Sequence, residues 1–208
     1  MRTLVIDTAT AACSVALVED GTVLARLHEL VSRGHAERLV PMIAELPEGG
    51  RADAVAVDCG PGSFTGVRVG VAAALGLGLG WGVPVRGYSS MALLASAAFA
   101  REGWEALAVA IEAGHGEVFM QCFDARLMTL APLASLRPEA AVATLGSLPA
   151  IGNGVARLLA IDGALNAAEA LPDAADWHLL PAHLADLPPR PIYGRAPDAK
   201  LPPSASIV

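Results

Sequence analysis

Asp7, Thr8 and Thr10 are the first residues of this 208-residue chain whose types and spacing could bind an anion or a metal ion. They follow a predicted buried strand over 3–7, so a carboxylate, two hydroxyls and backbone N–H groups lie in one turn. The alternative is that these side chains cap their own backbone, as Asp and Thr commonly do in turns. The sequence leaves both interpretations open.

A glycine-rich loop over 60–66 joins a predicted strand to a predicted helix. Gly60, Gly62 and Ser63 would let a ligand approach the backbone, and a helix N-terminus favours an anion. The spacing matches neither the dinucleotide-binding nor the P-loop pattern. The alternative is a sharp turn in which Ser63 is the N-cap of the helix.

The helix predicted over 64–81 contains several glycines. A helical glycine costs ~0.5–1 kcal/mol relative to alanine, so this composition indicates that another backbone packs very close. That backbone could belong to this chain or to a partner. Together with an amphipathic helix predicted over 35–46, the pattern favours a helical interface. Its candidate residues are His35, Leu39, Met42, Ile43, Leu46, Val67, Gly70, Val71, Ala74 and Leu75.

Composition excludes several classes of function. The net charge is −7 and aromatic residues are 4% of the chain, which argues against a nucleic-acid-binding surface. The single lysine, Lys200, lies in a proline-rich tail, so a P-loop, a protein kinase and a Schiff-base enzyme are excluded. No two histidines are spaced for a helical metal site, and no G-x-S-x-G motif occurs. We expect no catalytic centre, metal or cofactor.

The cysteines and the apolar run over 69–85 bear on the compartment. Three widely spaced cysteines indicate a reduced, cytoplasmic protein. The run is at the lower limit for a membrane span, but its glycines and Pro84 favour a buried helix that runs into a strand. We therefore expect no membrane association.

The pattern of elements occurs twice along the chain. A strand that ends in an acid, a polar turn and a hairpin are followed by helix, strand, glycine loop and helix, first from 3 and again from 107. The residues themselves are not repeated, so chance similarity of the halves is the alternative. We predict an α/β fold of two duplicated lobes, 1–102 and a trimmed 103–187, followed by a proline-rich tail over 188–208.

Three stretches together resemble the TsaB (YeaZ) family, which is required for threonylcarbamoyladenosine in tRNA. They are VIDTATAACSVAL at 5–17, HAERLVPM at 35–42 and GPGSFTGVRVG at 60–70. Weaker similarity continues through 116–119, 152–154 and 192–195. The resemblance implies the actin/Hsp70/sugar-kinase-like fold of two duplicated lobes of mixed sheet with helices. The family's acid-Ala-Arg turn differs here, as Glu112-Ala113-Gly114-His115.

The resemblance also implies a non-catalytic paralogue of TsaD, the transferase subunit. TsaD holds its metal with two histidines four residues apart, and the positions here are Ser90 and Leu94. Pairing with TsaD is expected through helices 35–46 and 64–81, with homodimerisation through the same face when the chain is alone. A TsaE-type ATPase is a further expected member of the complex, and tRNA is expected to be contacted only indirectly. Gly70→Trp should then abolish the complex and spare the fold.

Two enzyme classes are the alternatives. A small phosphotransferase of the same fold would depend on Asp7, but no lysine lies near it in sequence. A glycoprotease-like peptidase would need a nucleophile or metal ligands, and the sequence shows neither pattern.

Overall fold

Two five-stranded mixed sheets organise residues 1–195, the part of the chain that the computed structural model describes. The first sheet contains β1 (Arg2–Asp7), β2 (Ala12–Glu19), β3 (Thr22–Leu30), β4 (Ala54–Asp58) and β5 (Val85–Tyr88). Their order across the sheet is β3-β2-β1-β4-β5. Strands β1 to β3 form an antiparallel meander, and β4 and β5 add in parallel to β1.

The second sheet has the same topology. It contains β6 (Ala106–Gly114), β7 (Glu117–Asp124), β8 (Thr129–Leu136), β9 (Ala150–Ile151) and β10 (Ala167–Ala168). Its order, β8-β7-β6-β9-β10, matches the first sheet strand for strand and direction for direction. The predicted duplication of the two lobes is confirmed. Strands β9 and β10 contain two residues each, so the second sheet is the smaller one.

Five α-helices connect the strands within residues 1–195. They are α1 (His35–Glu45), α2 (Phe64–Trp81), α3 (Ser90–Glu102), α4 (Pro138–Leu145) and α5 (Val155–Leu159). Helix α1 ends one residue before the predicted Leu46, whose backbone is extended (φ −69°, ψ 157°). The following residue is Pro47, and a proline disfavours the helical conformation in its predecessor.

Helices cover both faces of the first sheet. Side chains alternate along β1, so Leu4 and Ile6 face α1 and α2, whereas Val5 faces α3 and a later segment. That later segment includes a 3-10 turn, Ala174–Leu179, which packs against β1 and β2. The glycine loop and α2 are thus fixed on one side of this sheet, at the carboxyl end of β4.

The chain after the second sheet returns to the first lobe. Leu187 pairs with Gly87 of β5, and the Ile192 N–H donates to the Cys59 carbonyl oxygen (2.8 Å). Of the predicted tail over 188–208, Ile192 and Tyr193 therefore lie against the first lobe through specific hydrogen bonds, and Arg195 pairs with Glu117 of the second lobe (3.3 Å). The remainder, 196–208, lies outside the described residues.

Helix α2 is the one helix within residues 1–195 that is long and apolar enough to cross a membrane. A single helix of this kind is weak evidence for a span, because the core helix of a soluble protein passes the same test. The expectation of a helix running into a strand is confirmed, since β5 follows at Val85. About a third of α2 is buried. The predicted burial of this helix is therefore found only on the side that faces the sheet.

Candidate functional site

Two buried carboxyl groups lie at the carboxyl ends of neighbouring parallel strands. Asp7 ends β1 and Asp58 ends β4, and both side chains are fully buried. The Asp58 carboxylate accepts from the Ser90 hydroxyl (2.5 Å) and the Gly60 N–H (2.7 Å). The Asp7 carboxylate accepts from the Ala9 N–H (3.2 Å). Asp7 is a candidate site residue from the sequence pattern and Asp58 is not, although both acids end a buried strand and precede a turn.

Burial controls the protonation of this acid pair. It raises the pKa of Asp7 well above its usual range, and the neighbouring Asp58 charge raises that pKa further. Burial also raises the pKa of Asp58, against hydrogen bonds from Asp7, Ser90 and Gly60 that lower it. Two carboxylates in contact in a dry site disfavour double ionisation. The pair is therefore a structural anchor for its two turns, closed off from solvent.

The hydroxyl groups predicted to contact an anion are bound to the chain's own backbone. Thr8 Oγ1 donates to the Gly66 carbonyl oxygen (2.7 Å), and Thr10 Oγ1 accepts from the Ala12 N–H (3.3 Å). Ser63 Oγ accepts from the Gly66 N–H (3.2 Å) and is the N-cap of α2. The structure thus supports the backbone-capping alternative for these side chains.

The glycine loop over 60–66 is packed against the turn that follows β1. A β-carbon at Gly62 would collide with the Ala9 carbonyl oxygen, and one at Gly66 with that of Thr8. The Ser63 N–H donates to the same Ala9 oxygen (2.6 Å). These glycines are explained by close approach of two segments of this chain. Gly60 has a positive φ of 90°, which favours glycine at that turn.

Most of the predicted partner-binding residues lie on the sides of α1 and α2 that face the chain's own first sheet. Nine of the ten are buried in the free chain: His35, Leu39, Met42, Ile43, Leu46, Val67, Gly70, Val71 and Ala74. The apolar periodicity of a helix identifies the side that packs on a hydrophobic surface, and here that surface is the chain's own sheet. The expectation that these residues meet a partner is corrected. Leu75, 46% exposed, is the member of the set that reaches solvent.

The correction extends to Gly70. A β-carbon there would lie 2.5 Å from Thr8 Oγ1, with Val57 and Ile6 close behind. A tryptophan at this position has no room inside the molecule. Gly70→Trp would therefore disrupt the fold, and it does not test an interface.

The other side of α1 and α2 carries an exposed apolar stripe, which we call the outer face. It consists of Ala36, Val40 and Ala44 of α1 and Ala72, Leu75, Gly76, Leu79 and Gly80 of α2. The two helices pack against each other, and within each helix these positions recur every three or four residues. Val40 is 61% exposed and Leu79 is 87% exposed. The outer face is thus contiguous along each helix and predominantly apolar.

Two glycines of the outer face differ from those on the inner side. A β-carbon at Gly76 or Gly80 would meet nothing within 4 Å among the described residues. Packing within the described chain therefore gives no reason for glycine at these positions. The sequence pattern identified the helix correctly, but it did not separate inward from outward glycines.

The two positions compared with metal-binding histidines have other roles here. The Ser90 hydroxyl binds Asp58, and Leu94 is 3% exposed in the core. Within residues 1–195 no group of three or more His, Cys, Asp or Glu side chains is arranged to hold a metal ion.

Comparisons with known proteins give a family model and several curated relatives. Residues 27–134 match the family model described as "TsaD: tRNA N6-adenosine threonylcarbamoyltransferase". The chain is 46% identical over 124 residues to the Escherichia coli protein named "tRNA threonylcarbamoyladenosine biosynthesis protein TsaB", a match that covers 57% of this chain and 53% of that protein. It is 32% identical over 208 residues to an uncharacterized protein of Mycobacterium tuberculosis, with 95% and 93% covered. The chain thus spans about half the length of the first curated relatives it matches.

Solved structures agree with these sequence matches. The structure named "YeaZ from Pseudomonas aeruginosa" has a TM-score of 0.75 at 32% identity, with 92% of this chain and 99% of that one covered. A Pseudomonas aeruginosa protein described as similar to the peptidase YEAZ has a TM-score of 0.77 at the same identity, covering 93% and 99%. The similarity therefore extends over both lobes.

Proposed function

The chain belongs to the TsaB (YeaZ) family, with its two-lobed actin/Hsp70/sugar-kinase-like fold, and from this premise we propose that it acts in the biosynthesis of threonylcarbamoyladenosine in tRNA. Its role is that of a non-catalytic subunit in the cytoplasm. It binds a TsaD-type transferase through the outer face of α1 and α2. A TsaE-type ATPase joins the same complex, and tRNA is contacted mainly by the transferase.

The outer face is the observation that carries this proposal. A contiguous exposed apolar stripe on a soluble domain marks a protein-binding surface. Helix α2 carries a single charged residue, Arg68, so its outer side offers a partner few groups that are costly to desolvate. Open glycines at 76 and 80 let a partner's backbone approach closely, as small residues do between packed helices.

The same face supports a homodimer when the transferase is absent. Two copies of α1 and α2 would cover each other's exposed Val40 and Leu79, which are otherwise in water. Because both assemblies use one surface, the homodimer and the complex with the transferase exclude each other. Adding the transferase should therefore dissociate the homodimer.

The acid pair supports a non-catalytic role. A phosphotransferase that depended on Asp7 would need that carboxylate at a solvent-accessible site, and Asp7 is fully buried with its oxygens already bonded. Ser90 and Leu94 lack the imidazole groups that hold the metal in the transferase family.

The peptidase alternative finds no nucleophile among the cysteines. All three thiols are buried, and burial raises the pKa of Cys13 to about 11 and of Cys59 to about 12. The pKa of Cys122 is also raised by burial. Reactive cysteines instead have a lowered pKa and partial exposure. These thiols are protonated core side chains at neutral pH.

The experiment measures binding to the TsaD-type protein of the same genome, with Leu79→Glu as the test variant. A glutamate there must be desolvated in the complex but stays in water in the free chain, because Leu79 is 87% exposed. The matched control is Leu130→Glu, at a leucine 55% exposed on β8 of the other lobe. Isothermal titration calorimetry should show affinity reduced by about a hundredfold for Leu79→Glu, near the cost of burying an unpaired charge.

Both variants should keep the melting temperature that the parent chain has when it is diluted to the monomer, because dimerisation itself raises the melting temperature. Light scattering should show that Leu79→Glu also prevents the homodimer. Wild-type affinity in Leu79→Glu, or equal loss in Leu130→Glu, would show that the outer face is not the binding surface. Loss of threonylcarbamoyladenosine formation in a reconstituted reaction without this chain tests the assigned pathway separately.

A further inference from the structure

A cavity of about 760 Å³ lies between the two lobes. One wall is the start of α2, a second is the turn between β6 and β7, and a third is the returning segment around Tyr193. Of the residues first considered for an anion, Gly62 and Ser63 line it, whereas Asp7, Thr8, Thr10 and Gly60 do not. The cavity is therefore separate from the buried acid pair and has no part in the proposed helical interface.

The walls of the cavity are mainly apolar and aromatic. Phe64 and Val67 contribute from the first lobe, Phe119 from the second, and Ile192 and Tyr193 from the returning segment. Both the volume and this lining are typical of sites for small organic molecules. A molecule bound there would contact three separate parts of the chain.

Arg68 gives the cavity its polarity. Its guanidinium group lies 3.3 Å from the centroid of the Phe64 ring and 5.5 Å from that of Tyr193. It donates to the Phe64 carbonyl oxygen (2.9 Å) and to the Tyr193 hydroxyl (2.8 Å). These two bonds use two of the five N–H groups of arginine.

The other charged groups that line the cavity have opposite charges beside them. Arg195 pairs with Glu117 (3.3 Å), and Glu112 pairs with Arg157 (3.0 Å). The partners of Arg68 are neutral, and no carboxylate within residues 1–195 lies within ion-pair distance of it. Among the described residues, the cavity thus has an apolar lining and one arginine, Arg68, whose positive charge is not balanced by a neighbouring acid.

We propose that this cavity binds a small organic anion with an aromatic or apolar body. The carboxylate or phosphate group of the ligand accepts hydrogen bonds from the Arg68 guanidinium, and its body lies against Phe119 and Tyr193. A charge-assisted bond to arginine in an apolar site is strong, and both acid groups match the planar fork of the guanidinium. The inference does not depend on the proposed transferase partner.

The test uses four probes with the full-length chain: phenylacetate, phenyl phosphate, neutral phenylacetamide and inorganic phosphate. Binding is measured by saturation-transfer NMR and isothermal titration calorimetry. Arg68→Gln removes the cation, and Ala113→Phe fills the cavity with a large side chain from β6. Arg126→Gln is the matched control, because Arg126 is an exposed arginine in the turn after β7 and does not line the cavity.

At least one aromatic anion should bind the parent chain, and phenylacetamide should bind at least about tenfold more weakly. Arg68→Gln should weaken anion binding by about tenfold to a hundredfold, the cost of a lost hydrogen bond to a charged group. Ala113→Phe should abolish binding, and Arg126→Gln should retain it. The stronger of the carboxylate and phosphate probes identifies the preferred acid group.

Four results would overturn the proposal. They are no binding of either aromatic anion at millimolar concentration, equal binding of phenylacetamide, equal binding in Arg68→Gln, and unchanged binding in Ala113→Phe. If inorganic phosphate binds as tightly as phenyl phosphate, the site holds an adventitious ion only, and the proposal is again wrong. Circular dichroism and melting temperature establish that each variant is folded.

Discussion

Helix α2 has two sides that contain the same residue for different reasons. On the inner side, β-carbons at Gly66, Gly70 and Gly78 would collide with atoms of the chain's own first lobe. On the outer side, β-carbons at Gly76 and Gly80 would meet open space among the described residues. The inner glycines are therefore required by the fold, whereas the outer ones have no role in packing among residues 1–195.

The difference between the two sides of α2 limits what a glycine-rich helix implies about a protein interface. Each helical glycine costs ~0.5–1 kcal/mol relative to alanine, whichever side it occupies. The close packing of α2 on β1 and β4 accounts for this cost on the inner side. This packing does not account for the cost of the outer glycines, which close approach of a partner would explain. Two open glycines and the exposed apolar stripe therefore support an interface, and the other glycines of the helix do not.

The largest expected effect distinguishes the two sides by one substitution made twice. Gly70→Trp should lower the free energy of unfolding by at least about 3 kcal/mol, since a large side chain is forced against Thr8, Val57 and Ile6. Gly76→Trp should change it by less than about 0.5 kcal/mol, as exposed substitutions usually do. Urea denaturation measures both values. Similar losses for the two variants would show that α2 does not have two distinct sides.

Binding should show the reverse order. Gly76→Trp should prevent association with the TsaD-type protein while its melting temperature stays at the parent value. A folded Gly76→Trp variant that binds normally would show that Gly76 does not lie in the binding surface.

The inner side of α2 can also be tested through pH. Gly70 on that side lies against Thr8, and Thr8 directly follows Asp7, one member of the buried acid pair. Burial raises the folded-state pKa of Asp7 above its ordinary value of 3.8. Protonation therefore stabilises the fold fully below the unfolded-state pKa, and this stabilisation is lost as pH rises through the folded-state pKa. Asp7→Asn keeps the shape and removes the titration.

Its free energy of unfolding relative to the parent chain should therefore increase with pH, by up to about 1.4 kcal/mol per pH unit above about pH 4. Asp162→Asn, at an exposed aspartate, is the control that removes one carboxylate from the surface. Urea denaturation across the pH range measures both. A pH-independent difference for Asp7→Asn would mean that Asp7 titrates as an ordinary surface acid.

The smallest expected effect comes from alanine substitutions at Gly76 and Gly78. These two positions are two residues apart on opposite sides of α2, so they give the most direct comparison. Gly76→Ala should stabilise the isolated chain by ~0.5–1 kcal/mol, since the β-carbon meets open space. Gly78→Ala should destabilise it, since its β-carbon would collide with Val85 and approach the Val83 carbonyl oxygen. Thermal denaturation gives both signs. The same sign for both would contradict the assignment of inner and outer glycines.

Much of the fold could be predicted from the sequence because its signals are local. The hairpin predicted after the first strand is formed by β2 and β3, and the Asp20-Gly21 turn joins them with positive φ at both residues. The N-cap role of Ser63 is confirmed as well. The repeated order of elements predicted two lobes, and the matching strand orders confirm them. Turn chemistry and capping depend on a few adjacent residues, so one sequence suffices to find them.

The candidate site could be predicted only in part. The sequence identified α1 and α2 but assigned most of the interface to residues that face the sheet, such as Met42 and Ala74. It also missed Asp58, whose importance comes from its place beside Asp7. Periodicity shows that a helix has an apolar face; it does not show which of two apolar faces the rest of the chain covers.

The sequence by itself determined the family, the duplicated lobes and the identity of the helices, because motifs and turn signals are written in neighbouring residues. Only the tertiary structure decided which side of α2 is free, which carboxyl groups share a dry site, and where Arg68 stands relative to Tyr193. These properties depend on contacts between residues far apart in the chain. Such contacts exist only once the sheet, the helices and the returning segment have packed together.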